Sequence, residues 1–433
     1  MNETTRDIKI RVPVLTRVEG EGALEIDVAN GAIDHLALHI FEPPRLFEKF
    51  VEGYECDQVI DMVARICGIC PVAYQMSAVQ AFESLFGLEP PDWLLGMRRA
   101  MYCGEWLQSH ALHIHLLAAP DFLGFDSAIA MAADYPDAVR RGLELQTLGN
   151  DLIALFGGRS VHPVGVRVGG FYRAPKMEDV EPLLKRLQQA LPAAEALVAW
   201  TAGLDFPDDE QSFISVALSH PQEYAIGQGT LISGQGLETD ISFYESFFQE
   251  HQSPHSTALH STLDGRPYLT GPLARLNLNF HQLPKPVRET MDSCGIHFPS
   301  HNMFHSIVAR AIELQLAIYE AIRLLEAYRE PESSYIPLKP REGNAFGCTE
   351  APRGILWHRY DVDDQGMVRY ARIVPPTSQN QGRIEEDIRN SLERLGLDSP
   401  DDALRLRAEQ VIRNYDPCIS CATHFLKLDL RRR

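Results

Sequence analysis

The chain has 433 residues, 45% of them hydrophobic and 23% charged, the balance of a globular protein large enough to bury a substantial core. Its 40 Lys and Arg against 59 Asp and Glu leave a formal net charge of −19, which argues against nucleic acid or an anionic membrane surface as the main partner. No run of about 18 uncharged apolar residues is present to span a bilayer, and Met1 to Lys9 is polar without a signal-peptide core, so a cytoplasmic chain is expected.

Leu24, Ile26 and Val28 alternate with polar residues, Asn30-Gly31 follows, and Leu36, Leu38 and Ile40 alternate again, which predicts a hairpin with a type I′ turn. From Cys56 the apolar spacing changes to three and four residues and predicts helices over Asp57–Gly87, Asp92–Ala118, Pro136–Phe156 and Pro182–Thr201. The stretch between Asp205 and Pro299 is rich in Gly, Pro, Ser and aromatics and reads as loops with short strands, and Glu342–Gln381 reads similarly. His301–Arg329 is the longest helical pattern, a strand is expected around Val368–Val374, and helices over Glu385–Leu395 and Pro400–Tyr415. The expected fold is α+β and mainly helical, a central bundle of long helices with a small N-terminal antiparallel β-sheet. We expect one intertwined domain over 1–433, with a β region at 1–50, helices at 51–204, mixed loops and strands at 205–299, and helices with the last motif at 300–433.

Eight cysteines are present, and four of them form two C-x-x-C pairs, Cys67/Cys70 and Cys418/Cys421, one near each end of the chain. A disulfide framework is not expected in a long acidic chain of this kind. The first pair is placed at a helix start, where one turn brings residues i and i+3 to the same side and lets two thiolates face one metal. One pair alone reads equally as structural zinc or as plain buried cysteines. Two pairs from opposite ends can close a four-sulfur site, and soft thiolates suit nickel and iron as well as zinc.

Arg65-Ile66-Cys67-Gly68-Ile69-Cys70 and Asp416-Pro417-Cys418-Ile419-Ser420-Cys421-Ala422-Thr423-His424 resemble the two nickel-binding signatures of the large subunit of [NiFe]-hydrogenases. The resemblance runs through almost the whole chain, in order: Arg17-Val18-Glu19-Gly20, Arg45-Leu46-Phe47-Glu48, Ser109-His110-Ala111-Leu112-His113 with Ala119-Pro120-Asp121, Gly157-Gly158-Arg159-Ser160-Val161-His162-Pro163 closing with Gly169-Gly170, Glu350-Ala351-Pro352-Arg353-Gly354, and Val374-Pro375-Pro376-Thr377-Ser378-Gln379-Asn380. Pro120-Asp121-Phe122-Leu123-Gly124 and the Pro376–Asn380 segment are most similar to the cytoplasmic, bidirectional, NAD(P)-linked or sulfhydrogenase-type group. The chain departs from the family at Tyr74, where many members have a His, so any hydrogen bond made there to a bridging sulfur differs or is absent. It departs again after His424, where only Phe425–Arg433 follows; either this short tail is cut on maturation or that step is skipped.

The resemblance implies a nickel–iron centre with carbon monoxide and cyanide on the iron. Cys67 and Cys418 would bind nickel alone, and Cys70 and Cys421 would bridge both metals. Arg353 would donate to cyanide or sit over the open bridging position, anchored by Asp121 and Asp416, and Thr377 with Arg353 would line the cofactor. Glu19 would take the proton after the cysteine thiol. Glu48 and His424 would bind magnesium or iron near the C-terminus, in keeping with carboxylate, carbonyl and water ligands. Splitting H2 heterolytically requires a Lewis acid to accept hydride and a base to accept the proton, and thiolates around nickel offer both. As a lone residue Glu19 reads as a solvated turn acid, the Arg353–Asp416 pair as a structural salt bridge, and His424 as a satisfied core His.

His110, His113 and His115 share a helix and are expected to pack or support rather than to bind metal. His162 is expected to be a hydrogen-bonding core residue, and Cys348 is of interest for its nearness to Glu350. No G-x-G-x-x-G, no Walker loop and no four-cysteine cluster run appears. Electron carriers are therefore expected on other chains: an iron–sulfur small subunit and flavin or NAD(P) diaphorase subunits. Two other readings stand beside this one. The first is a quinone-reductase-type subunit, which shares the fold but generally lacks the four cysteines. The second is a zinc-bound, non-catalytic or H2-sensing scaffold.

Overall fold

Alternating apolar residues at the start of the chain build a three-stranded antiparallel sheet, Ile8–Val12, Gly22–Ala29 and Ala32–Ile40. The computed structural model describes residues 7–423. Asn30 and Gly31 both take positive φ, as a type I′ turn requires. Ile10, Ile26 and Leu38 on the inner face pack on Ile384, Ile388 and Leu392 of the helix Pro376–Leu395 and on Val411 and Ile412 of the helix Asp401–Tyr415. Each such aliphatic side chain contributes about 1.5–3 kcal/mol by leaving water. The two ends of the chain thus share one core. The first strand was not expected from sequence: it is only five residues long and its polar face is exposed.

The helices Asp92–Leu112, Pro136–Gly157, Met177–Ala202 and Ser306–Ala327 pack side by side as the expected central bundle. Gly104 and Gly149 let the first two touch at the backbone: a Cβ on Gly149 would lie 2.5 Å from the Gln108 amide nitrogen. Ser306–Ala327 is buried on every face from Ser306 to Ile318, including Arg310, Glu313 and Gln315. A helix buried all round has no amphipathic stripe. The bundle helix Asp92–Leu112 widens into a π-turn at His113–Ala118 and ends at Ala119–Leu123.

The strands Gly343–Ala351, Gly354–Val362 and Val368–Val374 form a second antiparallel sheet. Only the last was placed from sequence, within a stretch read as loops and short strands; the first two are nine residues long. Pro352-Arg353 is the turn between the first two, and it presents Arg353 at the end of the hairpin. The helix Pro71–Phe86 lies on this sheet so closely that a Cβ on Gly347 would stand 1.9 Å from the Ser77 carbonyl oxygen. In the region 205–299 short strands occur as expected, with helices besides, the longest being Pro272–Asn279 and Lys285–Ser293.

One expectation is corrected. Asp57–Gly87 is not one helix: Cys56–Val63 and a 3-10 turn at Ala64–Ile66 end before Cys67, and the helix restarts at Pro71. Cys67 is extended (φ −135°, ψ 136°), and the Ile69 and Cys70 amides donate to its sulfur instead of to helical carbonyls, at 3.3 and 3.1 Å. Pro71 suits a first helical position, where no amide donor is needed. Among the described residues, no helix is long and apolar enough to cross a membrane.

Candidate metal centre

Two short loops from opposite ends of the chain bring four sulfurs to one point. Cys67–Cys70 precedes the helix Pro71–Phe86, and Cys418 caps the one-turn helix Ile419–Ala422 that carries Cys421. Sγ of Cys67 lies 2.8 Å from that of Cys70 and 3.6 Å from that of Cys418, and Cys70 lies 4.0 Å from Cys421. All four sulfurs fall within 4.8 Å of one another, each residue at most 4% exposed. All eight cysteines are free, so no disulfide explains the cluster. Burial pushes the Cys418 and Cys421 thiols up, whereas three neighbouring thiols overcome burial at Cys67 and pull it down. A soft cation replaces such protons and satisfies every sulfur at once, so the donor set fits a thiolate-bound metal.

The loops are fixed by hydrogen bonds from distant elements. Thr377 Oγ1 accepts from the Cys418 amide at 3.0 Å. The Glu19 carbonyl accepts from the Ile419 amide at 3.0 Å, and its carboxylate from the Ser420 amide at 3.1 Å. Glu19 is half-buried and pairs along the backbone with Cys418. Gly20 has φ +87° and would meet Ile419 Cβ at 2.7 Å if it had a side chain. Arg45 ties the two cysteine loops together. Its guanidinium donates to the Ile66 carbonyl at 2.7 Å and to the Ser420 carbonyl, and its amide to the Thr423 carbonyl at 2.6 Å. Glu105 caps the helix after Cys70, accepting from the Val72 and Ala73 amides at 2.6 and 3.0 Å.

Cationic groups face the sulfurs. Arg353 Nε donates to the Asp416 carbonyl at 2.6 Å and Nη2 to its carboxylate at 3.0 Å, while Nη1 is buried with no hydrogen-bond partner. Burial opposes its charge, but Asp416 and the nearby Cys418, Cys70 and Cys67 hold it cationic. Asp416 takes φ +55°, and Arg310 Nη1 lies 3.5 Å from its other oxygen. Burial would raise the Asp416 carboxyl, yet Arg353, His113 and Arg310 hold it below the ordinary range. Asp416 therefore pairs with Arg353. Asp121 does not. It pairs with Arg413 at 2.7 and 3.0 Å and with Arg17, because it sits on the short helix Ala119–Leu123, beside the last turn of Asp401–Tyr415.

Glu48 is half-buried and accepts from the Ile373 amide at 2.7 Å. Its expected partner His424 lies outside the described residues. Tyr74 is fully buried, and its hydroxyl makes no hydrogen bond. Burial and the four cysteines, which its charge would face, push its pKa well up. His110 meets Glu313 at 3.0 Å, His113 the Arg413 carbonyl at 2.8 Å and His115 the Ala111 carbonyl at 2.9 Å, which are packing roles. His162 meets the Ala64 carbonyl at 2.8 Å. Cys348 belongs to a separate apolar cluster with Trp357 and Val374 and not to the cysteine cluster. Sequence reasoning missed Arg310 and Glu105. The available signal was a charged residue with uncharged, mostly apolar neighbours on both sides inside a helix.

The profile of the nickel-dependent hydrogenase family matches residues 45–141 and 238–424, which hold both cysteine pairs. The chain belongs to that family. It is 32% identical to sulfhydrogenase 1 subunit alpha of Pyrococcus furiosus, over 97% of this chain and 99% of that one. It is 27% identical to the NAD-reducing hydrogenase HoxS subunit beta of Cupriavidus necator, over 96% of this chain and 95% of that one. A crystal structure of an NAD+-reducing [NiFe]-hydrogenase in the H2-reduced state superposes with TM-score 0.86 at 26% identity, covering 96% of this chain and 99% of that one. The [NiFeSe] hydrogenase of Desulfovibrio vulgaris Hildenborough shares the fold, with TM-score 0.81 at 22% identity. As a family member the chain is an oxidoreductase acting on hydrogen, and its relatives are subunits of larger hydrogenases.

Proposed function

We propose that this chain is the catalytic subunit of a [NiFe]-hydrogenase, carrying out H2 ⇌ 2H⁺ + 2e⁻. The observation that carries the reading is the meeting of four buried sulfurs from opposite ends of the chain within 4.8 Å. Cys67 and Cys418 would hold nickel, and Cys70 and Cys421 both nickel and iron. When bound, this group supplies the Lewis acidity that polarises dihydrogen. Arg353 presents its unpartnered Nη1 as the donor for an anionic ligand of the iron, and Asp416 fixes its orientation. Thr377 sets the direction of the Cys418 loop through that residue's amide.

Glu19 accepts the proton from the Cys418 sulfur. Its backbone is paired with that residue, and its carboxylate, which accepts from the Ser420 amide, is half-buried. Glu48 and His424 would hold magnesium or iron. Electrons leave through an iron–sulfur small subunit to NAD(P), by way of diaphorase subunits, or to sulfur. With NAD(P) as acceptor the complex works in the cytoplasm, where that pool resides. The family match takes in all four cysteines, which the quinone-reductase-type reading generally lacks. Elemental analysis tests the zinc scaffold: nickel and iron at about one each per chain, with infrared bands of metal carbonyl and cyanide, support the hydrogenase. Zinc alone, without those bands, overturns it.

A further inference from the structure

A second cluster of ligand-type side chains lies where three elements meet, apart from the cysteines. The hairpin Phe248–Gln252 and Leu259–Leu263 carries His255 in its turn and His260 on its second strand. Glu385 faces them from the helix Pro376–Leu395. His255 Nε2 is 2.8 Å from one Glu385 oxygen and His260 Nε2 is 3.6 Å from the other. One ligand atom from each residue falls within 4.8 Å of the others.

His260 supplies the second observation. It is 3% exposed, and neither of its ring nitrogens has a hydrogen-bond partner. A buried imidazole is normally satisfied. At 3.6 Å its Nε2 is too far from Glu385 for a hydrogen bond. That spacing does suit two ligands of one cation, since atoms about 2 Å from a tetrahedral ion stand about 3.3 Å apart. Glu385 is itself oriented from behind by the Leu38 amide, at 3.0 Å, as metal-binding carboxylates commonly are.

We propose that His255, His260 and Glu385 form a binding site for a divalent cation of the zinc and cobalt class. Two imidazoles and a carboxylate match that class rather than magnesium or calcium, and the remaining positions are left for water. The ion clips the hairpin to the helix and, through Leu38, to the edge of the N-terminal sheet. Glu385 lies eight residues after Thr377, or about 12 Å along the helix, so the clip braces the element that positions the Cys418 loop. The site does not depend on the nickel–iron assignment.

The test is titration of the purified full-length protein with Co2+ and Zn2+, in wild type, Cys418→Ser, His255→Gln and Glu385→Gln. In wild type and Cys418→Ser one equivalent of Co2+ is expected to give a ligand-field absorption without a thiolate charge-transfer band, apart from any Co2+ that the cysteines take up with such a band. Zn2+ should displace it, and both site variants should weaken it by about tenfold or more. Circular dichroism confirms that the variants are folded; His255, one-quarter exposed, is the milder change. Unchanged affinity in folded His255→Gln and Glu385→Gln, or Co2+ bound only with thiolate bands, overturns the proposal. A mere His–Glu ion pair would give no cobalt spectrum in Cys418→Ser.

Discussion

At the scale of single residues the centre depends on a few groups with separable roles. Cys418→Ser is expected to abolish hydrogen–deuterium exchange while circular dichroism stays unchanged; normal exchange would remove the nickel assignment. Glu19→Gln removes a proton acceptor but keeps an oxygen for the Ser420 amide. It is expected to suppress proton exchange with solvent and to spare ortho/para conversion of H2, and full activity in both assays would take Glu19 off the path. Arg275 shows how buried charge is shared. It binds Glu313 through two nitrogens, at 2.8 and 2.7 Å, and Glu350 through one, at 2.9 Å. Burial raises both carboxyls. At Glu313, Arg275 and His110 more than reverse this and bring its pKa to about 2, while Glu350 stays raised, at about 7. Glu313 therefore adds stability that is full above its ordinary value of 4.5 and is lost as pH falls towards 2. Glu350 acts oppositely: its contribution is full below 4.5 and is lost as pH rises through about 7. Glu313→Gln is expected to cost about 3–5 kcal/mol in denaturant unfolding at neutral pH, because it leaves Arg275 poorly compensated. Glu350→Gln should cost much less near pH 6, and equal losses would show that the charge is not divided this way.

At the scale of elements, close backbone approach sets the geometry. Gly149 lets the helix Pro136–Gly157 touch Asp92–Leu112 beside Gln108, whose side-chain amide donates to the Ile69 carbonyl in the first cysteine loop. Gly149→Ala is expected to destabilise the protein by about 1–3 kcal/mol through overpacking. It should also lower nickel retention, because the wedge moves Gln108. Gly68→Ala is the control, since a Cβ there meets nothing within 4 Å and stability should change by less than about 0.5 kcal/mol. Denaturant unfolding and elemental analysis of both variants check this pair, and equal nickel content in the two would exclude transmission through Gln108.

At the scale of the whole molecule, the N-terminal sheet and the C-terminal helices share a core that includes Ile26, Ile412 and Ile419. Ile419 lies between the last two cysteines, so damage to the sheet reaches the metal ligands. Ile26→Ala is expected to cost about 2–5 kcal/mol. Unfolding followed by near-ultraviolet dichroism and by loss of the metal carbonyl bands should coincide; a sheet that melts well before the centre would break the linkage.

Several features were legible in the sequence by itself. Alternation predicted the Leu24–Ile40 hairpin because one face of that sheet is buried. Apolar residues three and four apart predicted the bundle helices. The paired cysteines showed a spacing that thiolate metal sites use, and the segments around Glu19, Arg353 and Thr377 marked the family by resemblance. What periodicity cannot register is the burial of polar residues. The polar stretch Thr377–Gln381 is buried within a helix, and its polar side chains read as loop in one dimension. Nor does spacing give partners. Asp121 pairs with Arg413 rather than Arg353, and Arg45 bridges both cysteine loops, because contacts between residues hundreds of positions apart are set by how helices and sheets pack. The sequence determined which atoms are available for the chemistry. Only the tertiary structure decided that the sulfurs of both termini occupy one buried point and that His255, His260 and Glu385 occupy another.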